Sequence, residues 1–358
     1  MLTKDLPLWT GVIEGFFGKP WPWEARLETP EFLASLGFEF YIYAPKADTY
    51  LRRRWQEAFP EDLEHRLRAL CKRCRANRIA LGVGLSPFEL YRNYDAASKA
   101  LLKHKLAQIN AIDPDILCIL FDDMRGDLPD LTRLQISIVE DICSWSSARK
   151  FILAPTYYTY DPILVREFGV GPHDYLRDLG RSLDPKVEVF WTGEKVISSR
   201  YPAAHLNEVT ERLRRRPILW DNHVSNDTKI RCNKLFLNPA TPDWELRPDQ
   251  VAGLAINPMN QAHLSRLTLT AYARLLRRPD GAGSAANEAI AALGDIQLRQ
   301  LLAEDRATLE GERLDQMPPA LKATLLARYD SCPRRPEAYE VAAWLRGEYA
   351  FDPQCLTT

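Results

Sequence analysis

Ile116-Leu-Cys-Ile-Leu-Phe-Asp-Asp-Met124 is a short apolar run that ends in two adjacent carboxylates, Asp122 and Asp123. The run is rich in isoleucine and leucine, follows the chain-breaking Asp113-Pro-Asp115, and is not continued by helical spacing, which favours a buried parallel strand. Two acids at the end of a core strand are costly unless they face a polar cavity. In a barrel of parallel strands, catalytic residues stand at the carboxyl ends of the strands. The stretch therefore predicts acid–base chemistry at the mouth of such a barrel.

The composition is that of an ordinary globular protein with no marked preference for charged partners. The 358 residues are 46% hydrophobic and 27% charged, and the net charge is -1. The basic run at residues 212–216 is expected to be the solvated last turn of a helix rather than a nucleic-acid patch. No apolar run reaches the roughly 18–20 residues that a membrane span requires. We therefore expect no nucleic-acid partner and no membrane partner.

Cysteine usage and the first residues of the sequence predict a cytoplasmic protein without a metal site. The seven cysteines are scattered, and an odd count suits reduced thiols. The opening Met1-Leu-Thr-Lys-Asp-Leu-Pro7 lacks the apolar core of a signal peptide. Cys71 and Cys74 have the spacing of a metal pair, but no second pair completes a zinc site, so we interpret both as helix residues. No metal and no organic cofactor are expected.

Eight strand-like runs alternate with helical segments along most of the sequence. Helical spacing is clearest in residues 97–112 and 131–145, and Pro202 is placed to open another helix. Strands that alternate with helices pair in parallel through right-handed crossovers. We therefore predict an α/β fold, a (β/α)8 TIM barrel over residues 1–278, whose seventh crossover (residues 232–250) is a long loop. The predicted strands are residues 9–17, 38–44, 79–85, 116–122, 151–157, 187–192, 217–221 and 251–257.

The pattern changes after the glycine-rich stretch Arg278-Pro-Asp-Gly-Ala-Gly-Ser284. The remainder carries amphipathic helical spacing without strands, most clearly in residues 298–309, 320–329 and 337–349. We predict a second, small all-helical domain over residues 285–358, with the glycine-rich stretch as its boundary. Three roles are open for this unit: it could dock onto the barrel, complete a homodimer, or shape a groove for a peptide.

Aromatic, hydroxyl, amide and carboxylate side chains, with one lysine, follow the predicted strands. Taken singly, each is a weak signal, since Trp191 or Trp220 alone is more often a core aromatic and Lys46 a surface charge. Their joint position at one end of successive strands predicts a sugar site, because rings pack on the apolar faces of a pyranose and polar groups bond its hydroxyls. They stand at residues 14–18, 43–46, 122–123, 155–158, 191–193, 220–222, 226–227 and 257–258.

Six stretches at these strand ends form a recognisable set of motifs. They are Gly11-Val-Ile-Glu-Gly-Phe-Phe-Gly-Lys-Pro-Trp21, Tyr43-Ala-Pro-Lys46, Leu120-Phe-Asp-Asp123, Ala154-Pro-Thr-Tyr-Tyr158, Phe190-Trp-Thr-Gly193 and Leu219-Trp-Asp-Asn222. The set resembles glycoside hydrolase family 84, which holds the protein O-GlcNAcases and related bacterial β-N-acetylglucosaminidases. The resemblance covers about residues 8–275, and its motifs stand in order and in context.

The resemblance implies an exo-acting, retaining β-N-acetylglucosaminidase of the O-GlcNAcase type. In this substrate-assisted mechanism, the 2-acetamido oxygen of the sugar attacks the anomeric carbon and forms an oxazoline. Asp122 would orient the acetamido N–H, and Asp123 would be the general acid and then the base. The substrate would be a GlcNAc-bearing glycoprotein, peptide or glycan, with the sugar β-linked to Ser or Thr in the protein case.

The resemblance also implies a set of substrate-binding residues. Tyr158 would bond the acetamido group, Asn222 would steady the acid pair, and Trp220 would line the acetyl pocket. The groups that would hold the sugar hydroxyls are the backbone of Gly15 and the side chains of Lys46, Asp227 and Asn257.

The adjacency of Asp122 and Asp123 has a physical reason in such a mechanism. No enzyme nucleophile is needed, so the usual separation of two catalytic carboxylates does not apply. Like charges so close raise the pKa of one partner, which suits a general acid near neutral pH. A regular strand points successive side chains to opposite faces. We therefore predict that the backbone departs from strand geometry at these two residues.

Some positions differ from the family pattern and leave the preferred leaving group open. The animal enzymes have an acid where Tyr157 stands and a second acid at Ala47, whereas Phe17 replaces a usual tyrosine. Residues 124–127, Met-Arg-Gly-Asp, are also unlike theirs.

Two alternatives to the hydrolase remain open. A catalytically inactive GlcNAc-binding protein would keep the same pocket without turnover. Asp122-Asp123-x-x-x-Asp127 faintly resembles the aspartate-rich motifs that hold magnesium and diphosphate, although those motifs lie on helices and this one ends a strand.

Overall fold

The computed structural model describes residues 6–239, 246–279, 284–332 and 334–356. Here eight parallel strands close into a barrel, in which each strand pairs with the next and the last pairs with the first. All eight predicted strands are present, each shorter than its sequence pattern, and the predicted α/β barrel is confirmed. The strands are β1 Thr10–Glu14, β2 Phe40–Tyr43, β3 Ala80–Leu85, β4 Ile116–Leu120, β5 Lys150–Ala154, β6 Val187–Trp191, β7 Ile218–Asp221 and β8 Gly253–Ile256.

Helices surround the barrel between the strands. Asp95 caps the helix that begins at Ala96 by accepting a hydrogen bond from the backbone N–H of Ser98, and Pro202 stands at the N-cap of the helix that begins at Ala203, one position before its first turn. The described part of the seventh crossover holds two short 3-10 turns, Arg231–Asn233 and Pro248–Gln250, and no α-helix. The helices are α1 Trp23–Leu36, α2 Glu61–Ala76, α3 Ala96–Ile112, α4 Leu131–Trp145, α5 Pro162–Phe168, α6 Tyr175–Ser182, α7 Ala203–Leu213 and α8 Ala262–Arg277.

The strands are buried on both faces, which explains their continuous apolar sequence. In β4, Ile116, Cys118 and Leu120 belong to the core inside the barrel. Leu117 and Ile119, between them, belong to the core under the surrounding helices. Within the described residues, no helix combines the length and the apolarity that crossing a bilayer requires.

Four further helices among the described residues form a unit that shares a core with the barrel. They are α9 Ala285–Ala291, α10 Ile296–Gly311, α11 Pro319–Asp330 and α12 Pro336–Leu345. Leu302 and Trp344 of this unit pack in one cluster with Leu235 and Met259 of the barrel loops. The indole N–H of Trp344 also donates to the carbonyl of Cys232, at 2.9 Å. The unit therefore docks onto the barrel of its own chain.

Two predictions about this unit stay predictions. The domain boundary falls on a stretch of which residues 280–283 lie outside the described part of the chain. A homodimer through the helical unit would need a second chain. The docking of the unit onto its own barrel does not test whether two chains associate.

A buried carboxylate joins the helical unit to the barrel. Glu340 of α12 accepts hydrogen bonds from the backbone N–H groups of His263 and Leu264, at 2.8–3.0 Å. These donors lie in the first turn of α8, where N–H groups have no partner within the helix. Gln261, at the N-cap of α8, makes no side-chain cap. Burial raises the pKa of Glu340 to about 7, so this contact titrates near neutral pH.

Replacement of Glu340 by glutamine should change how stability depends on pH. Because burial raises the folded-state pKa, the stability from the protonated carboxyl is complete below about pH 4.5 and is lost as the pH rises through about 7. The glutamine cannot titrate. The free energy of unfolding of the wild type relative to Glu340→Gln should therefore fall by about 3 kcal/mol across that window.

Urea unfolding at about pH 4.5 and about pH 8 measures this difference. Glu312→Gln, at an exposed position just after α10, is the control and should show no such change. An equal difference between the wild type and Glu340→Gln at both pH values would contradict the prediction.

Candidate active site

Strand β4 delivers both aspartates to the barrel mouth. Its inward-facing residues are Ile116, Cys118 and Leu120, so continued alternation directs Asp122 inward and would direct Asp123 outward. The strand instead ends at Leu120, and Asp123 has a φ of 56°, a left-handed conformation that is costly for most residues. The predicted departure from strand geometry is confirmed. Both carboxylates line one cavity.

The empty space within this cavity, counted out to the open solvent at its mouth, is about 580 Å³. Its walls come from the loops that follow the strands, together with one residue from the far end of the chain, Cys355. The structure brings all the sequence-predicted site residues to it, although their individual roles stay predictions. They are Gly15, Lys46, Asp122, Asp123, Tyr158, Trp220, Asn222, Asp227 and Asn257.

Lys46 interacts more closely with one of the two acids than with the other. Its ammonium group donates to Oδ2 of Asp122 and lies 3.6 Å from Oδ2 of Asp123. Burial raises the pKa of Asp123, with a further rise from the Asp122 charge, while Lys46 opposes both. Asp123 thus keeps its proton to a higher pH than an ordinary carboxyl does, as a general acid requires.

Two polar atoms mark where a ligand would bond to the acids. Oδ1 of Asp122 is buried and has no hydrogen-bond partner among the described residues, although buried acceptors are normally satisfied. The hydroxyl of Tyr158 lies 3.4 Å from Oδ1 of Asp123, at the limit of a hydrogen bond. A ligand that donates one N–H and accepts one O–H would fit these positions.

Asn222 contacts the aromatic wall rather than the acids. Its Oδ1 accepts from the indole N–H of Trp220 at 2.8 Å and from the amide of Asn257 at 2.9 Å. Its own amide donates to the carbonyl of Val196 at 2.9 Å. The expected role of Asn222 in steadying the acid pair stays a prediction, and its described contacts hold the plane of the Trp220 ring.

Gly15 is required by its contact with Trp220. A Cβ at this position would stand 2.3 Å from a carbon of the indole ring, far inside van der Waals contact. The backbone N–H of Gly15 donates to Oδ1 of Asn257 at 3.1 Å. Gly15 and Asn222 therefore lie against the ring, and Asn257 is hydrogen-bonded to both of them.

Asp227 is a buried acid in the wall of the same cavity. Its carboxylate accepts from the backbone N–H of Phe17 at 2.9 Å and from the hydroxyl of Ser225 at 2.8 Å. Burial raises the pKa of Asp227, and these hydrogen bonds oppose the rise. The fixed carboxylate suits the binding of sugar hydroxyls.

The sequence model of a beta-N-acetylglucosaminidase family matches residues 10–304, which is most of the chain. The chain belongs to this β-N-acetylglucosaminidase family. The resemblance to glycoside hydrolase family 84 is thereby confirmed, and the motifs that carry it lie on the barrel described above.

Relatives of this β-N-acetylglucosaminidase family member include the Protein O-GlcNAcases of Rattus norvegicus and Mus musculus. Each is 31% identical over 258 residues, which is 69% of this chain and 28% of the relative. The chain thus spans less than a third of their length. An O-GlcNAc hydrolase variant from Thermobaculum terrenum has a similar structure, with a TM-score of 0.74 and 27% identity over 94% of this chain and 74% of that one.

The third aspartate of the magnesium-like motif does not line this cavity. Asp127 is exposed and pairs with Arg125. Within the described residues, no group of three or more His, Cys, Asp or Glu side chains is arranged to hold a metal ion.

Arg52 is a residue near the acids that the sequence did not reveal. It is 4% exposed, and its guanidinium lies 5.3 Å from the Phe17 ring and 5.2 Å from the Phe88 ring. Burial lowers the pKa of Arg52, and the charges of Asp123 and Asp122 oppose that shift. Because Arg52 stands in a run of three arginines, its sequence resembles an ordinary surface charge.

With Asp123 as the predicted general acid, replacement of Arg52 by methionine should move the pH profile of glycoside hydrolysis. Arg52 lowers the pKa of Asp123, so without it the acid should stay protonated to higher pH. The alkaline limb of kcat/KM for an aryl β-N-acetylglucosaminide should therefore shift to higher pH. Arg53→Met removes an exposed charge at the next position and should leave the limb in place. A downward shift, or none, in Arg52→Met would contradict this role.

Proposed function

We propose that this chain removes terminal β-linked N-acetylglucosamine from GlcNAc-bearing proteins, peptides or glycans, with retention of anomeric configuration. The observation that carries the proposal is the buried, unsatisfied Oδ1 of Asp122 beside Asp123, whose pKa is raised. An acetamido N–H would satisfy that acceptor. A protonated acid beside it is what a leaving oxygen needs.

In the first step, the acetamido oxygen attacks the anomeric carbon as the bond to the leaving oxygen breaks. Asp123 gives its proton to that oxygen, and the ionised Asp122 stabilises the charge that develops on the acetamido nitrogen. An oxazolinium ion forms, with its N–H still bonded to Asp122, and the alcohol departs. In the second step, Asp123 takes a proton from water, whose oxygen attacks the anomeric carbon and restores the acetamide. Two displacements at one carbon retain its configuration.

The walls of the cavity support a sugar as the substrate. Trp220, held edge-on to Phe190 with ring centroids 5.2 Å apart, offers an apolar surface for the acetyl group. Lys46, Asp227 and Asn257 offer polar groups for the hydroxyls. Tyr158, close to Asp123, would bond the acetamido oxygen as it attacks.

The proposal also concerns the kind of molecule that carries the sugar and the cellular location of the reaction. Two relatives are named Protein O-GlcNAcase, which supports a sugar carried on a protein. The chemistry at the sugar is the same for a glycan. The cytoplasmic location expected from the sequence stays a prediction.

The first experiment is release of 4-nitrophenol from its β-N-acetylglucosaminide. The wild type should turn over with and without EDTA, and Asp122→Ala should lose nearly all activity, since the acetamido group would no longer be oriented. Asp127→Asn, which changes an exposed neighbouring acid, is the matched control and should keep full activity. An active Asp122→Ala enzyme would contradict the acetamido role. Loss of activity in EDTA would revive the metal alternative.

The role of Asp123 has its own test, because protonation matters most for poor leaving groups. Asp123→Asn should slow alkyl glycosides by about 100-fold or more and slow aryl glycosides with acidic phenols far less. The slope of log kcat/KM against leaving-group pKa measures this. Equal slowing across the series would contradict a general acid.

The same assays decide the alternative of an inactive GlcNAc-binding protein. Calorimetry with N-acetylglucosamine measures binding independently of turnover. Binding by the wild type without release of any leaving group would establish that alternative and overturn the hydrolase.

A further inference from the structure

The chain returns to the barrel mouth after the last helix. Helix α12 ends at Leu345, and Gly347 reverses the direction of the chain with a φ of 83°. Residues 348–356, here called the return segment, then cross the loop after β1. Lys19 of that loop pairs with Glu348 at 3.3 Å and lies 4.6 Å from the centre of the Tyr349 ring.

The return segment is also attached to the loop after β2. The amide oxygen of Gln354 accepts a hydrogen bond from Nη1 of Arg52 at 3.4 Å. This arginine follows β2 and is held against the ring of Phe17, which itself lines the cavity. The segment is therefore anchored at Lys19 and at Arg52, in the loops that follow the neighbouring strands β1 and β2.

One residue beyond the second anchor, Cys355 forms part of the cavity wall. Its side chain is 5% exposed and lines the same space as Asp123 and Asp227. Burial raises the pKa of the thiol most, the negative charges of these two acids raise it further, and the charge of Lys46 lowers it. The cavity is built for a polar ligand at this place, because the buried Oδ1 of Asp122 lacks a partner among the described residues.

We propose that the return segment completes the sugar pocket and that Cys355 is a specificity-determining residue that contacts the bound N-acetylglucosamine. This inference rests on the proposed function. The thiol is small and uncharged, so it closes the wall between Asp227 and Asp123 without adding a third carboxylate to the two acids. Sugars with extra substituents on this side would meet the segment and be excluded, which favours a terminal residue.

The first experiment compares tryptophan at two adjacent positions of the segment. Cys355→Trp should fill the cavity and lower kcat/KM for 4-nitrophenyl β-N-acetylglucosaminide by about 100-fold or more. Leu356→Trp makes the same change at a neighbour that is 48% exposed and should keep wild-type activity. Cys355→Ser, which is nearly isosteric, should keep most of it. Wild-type kcat/KM in Cys355→Trp would overturn the proposal.

The second experiment uses the unaltered chain and so does not depend on the folding of a variant. Methyl methanethiosulfonate is applied at about pH 9, because burial raises the pKa of the Cys355 thiol and the thiolate is the reactive form. N-acetylglucosamine at about ten times its dissociation constant should slow modification of Cys355 about tenfold. Cys143, a half-buried thiol of α4, should react at an unchanged rate. Peptide mass spectrometry measures both.

Calorimetry with N-acetylglucosamine separates the two proposals. If the sugar binds and the glycoside is hydrolysed, but the sugar does not protect Cys355, only the role of the return segment is overturned. If the wild type neither binds the sugar nor hydrolyses the glycoside, the proposed function fails, and this inference fails with it. Protection together with the loss in Cys355→Trp supports the proposal.

Discussion

The ion pair between Lys46 and Asp122 is the interaction that allows two neighbouring carboxylates to share a buried cavity. Burial and the nearby charge of Asp122 raise the pKa of Asp123, and Lys46 limits that rise. The ion pair also supplies the cationic partner that a buried carboxylate requires. The backbone of Lys46, just beyond the end of β2, is held to the loop after β1, since its N–H donates to the carbonyl of Phe16 at 3.2 Å. The different roles expected for the two acids therefore depend on how β1 and β2 are paired.

The closed barrel supports the left-handed backbone conformation at Asp123. A residue with a φ of 56° persists where the surrounding structure over-determines it, and here the strand before it is paired on both sides along its length. The closed barrel holds β4 rigidly, so the turn after Leu120 can carry the unfavourable conformation. A flexible loop would relax it, and the two side chains would then diverge.

The sequence predicted the barrel well because strands buried on both faces appear as continuous apolar runs with breaks between them. It predicted the cavity residues because polar groups that follow parallel strands converge at one edge. It did not predict Arg52 or Cys355, since neither stands directly at the end of a strand and each reaches the site through contacts distant in sequence. It also did not predict the bond between Asn222 and Trp220, two positions away, because the orientation of Asn222 depends on Asn257, which follows the next strand.

Gly15 and Cys355 line the same cavity although almost the whole described chain separates them. A ribosome makes the first of these residues long before the second. A nascent chain that has already closed its barrel, with the acids and the aromatic wall in place, therefore still has an open side to its pocket. The gap is filled after the four helices have been made and have docked. The structure therefore indicates an order during synthesis, in which the barrel forms first and the pocket is completed last.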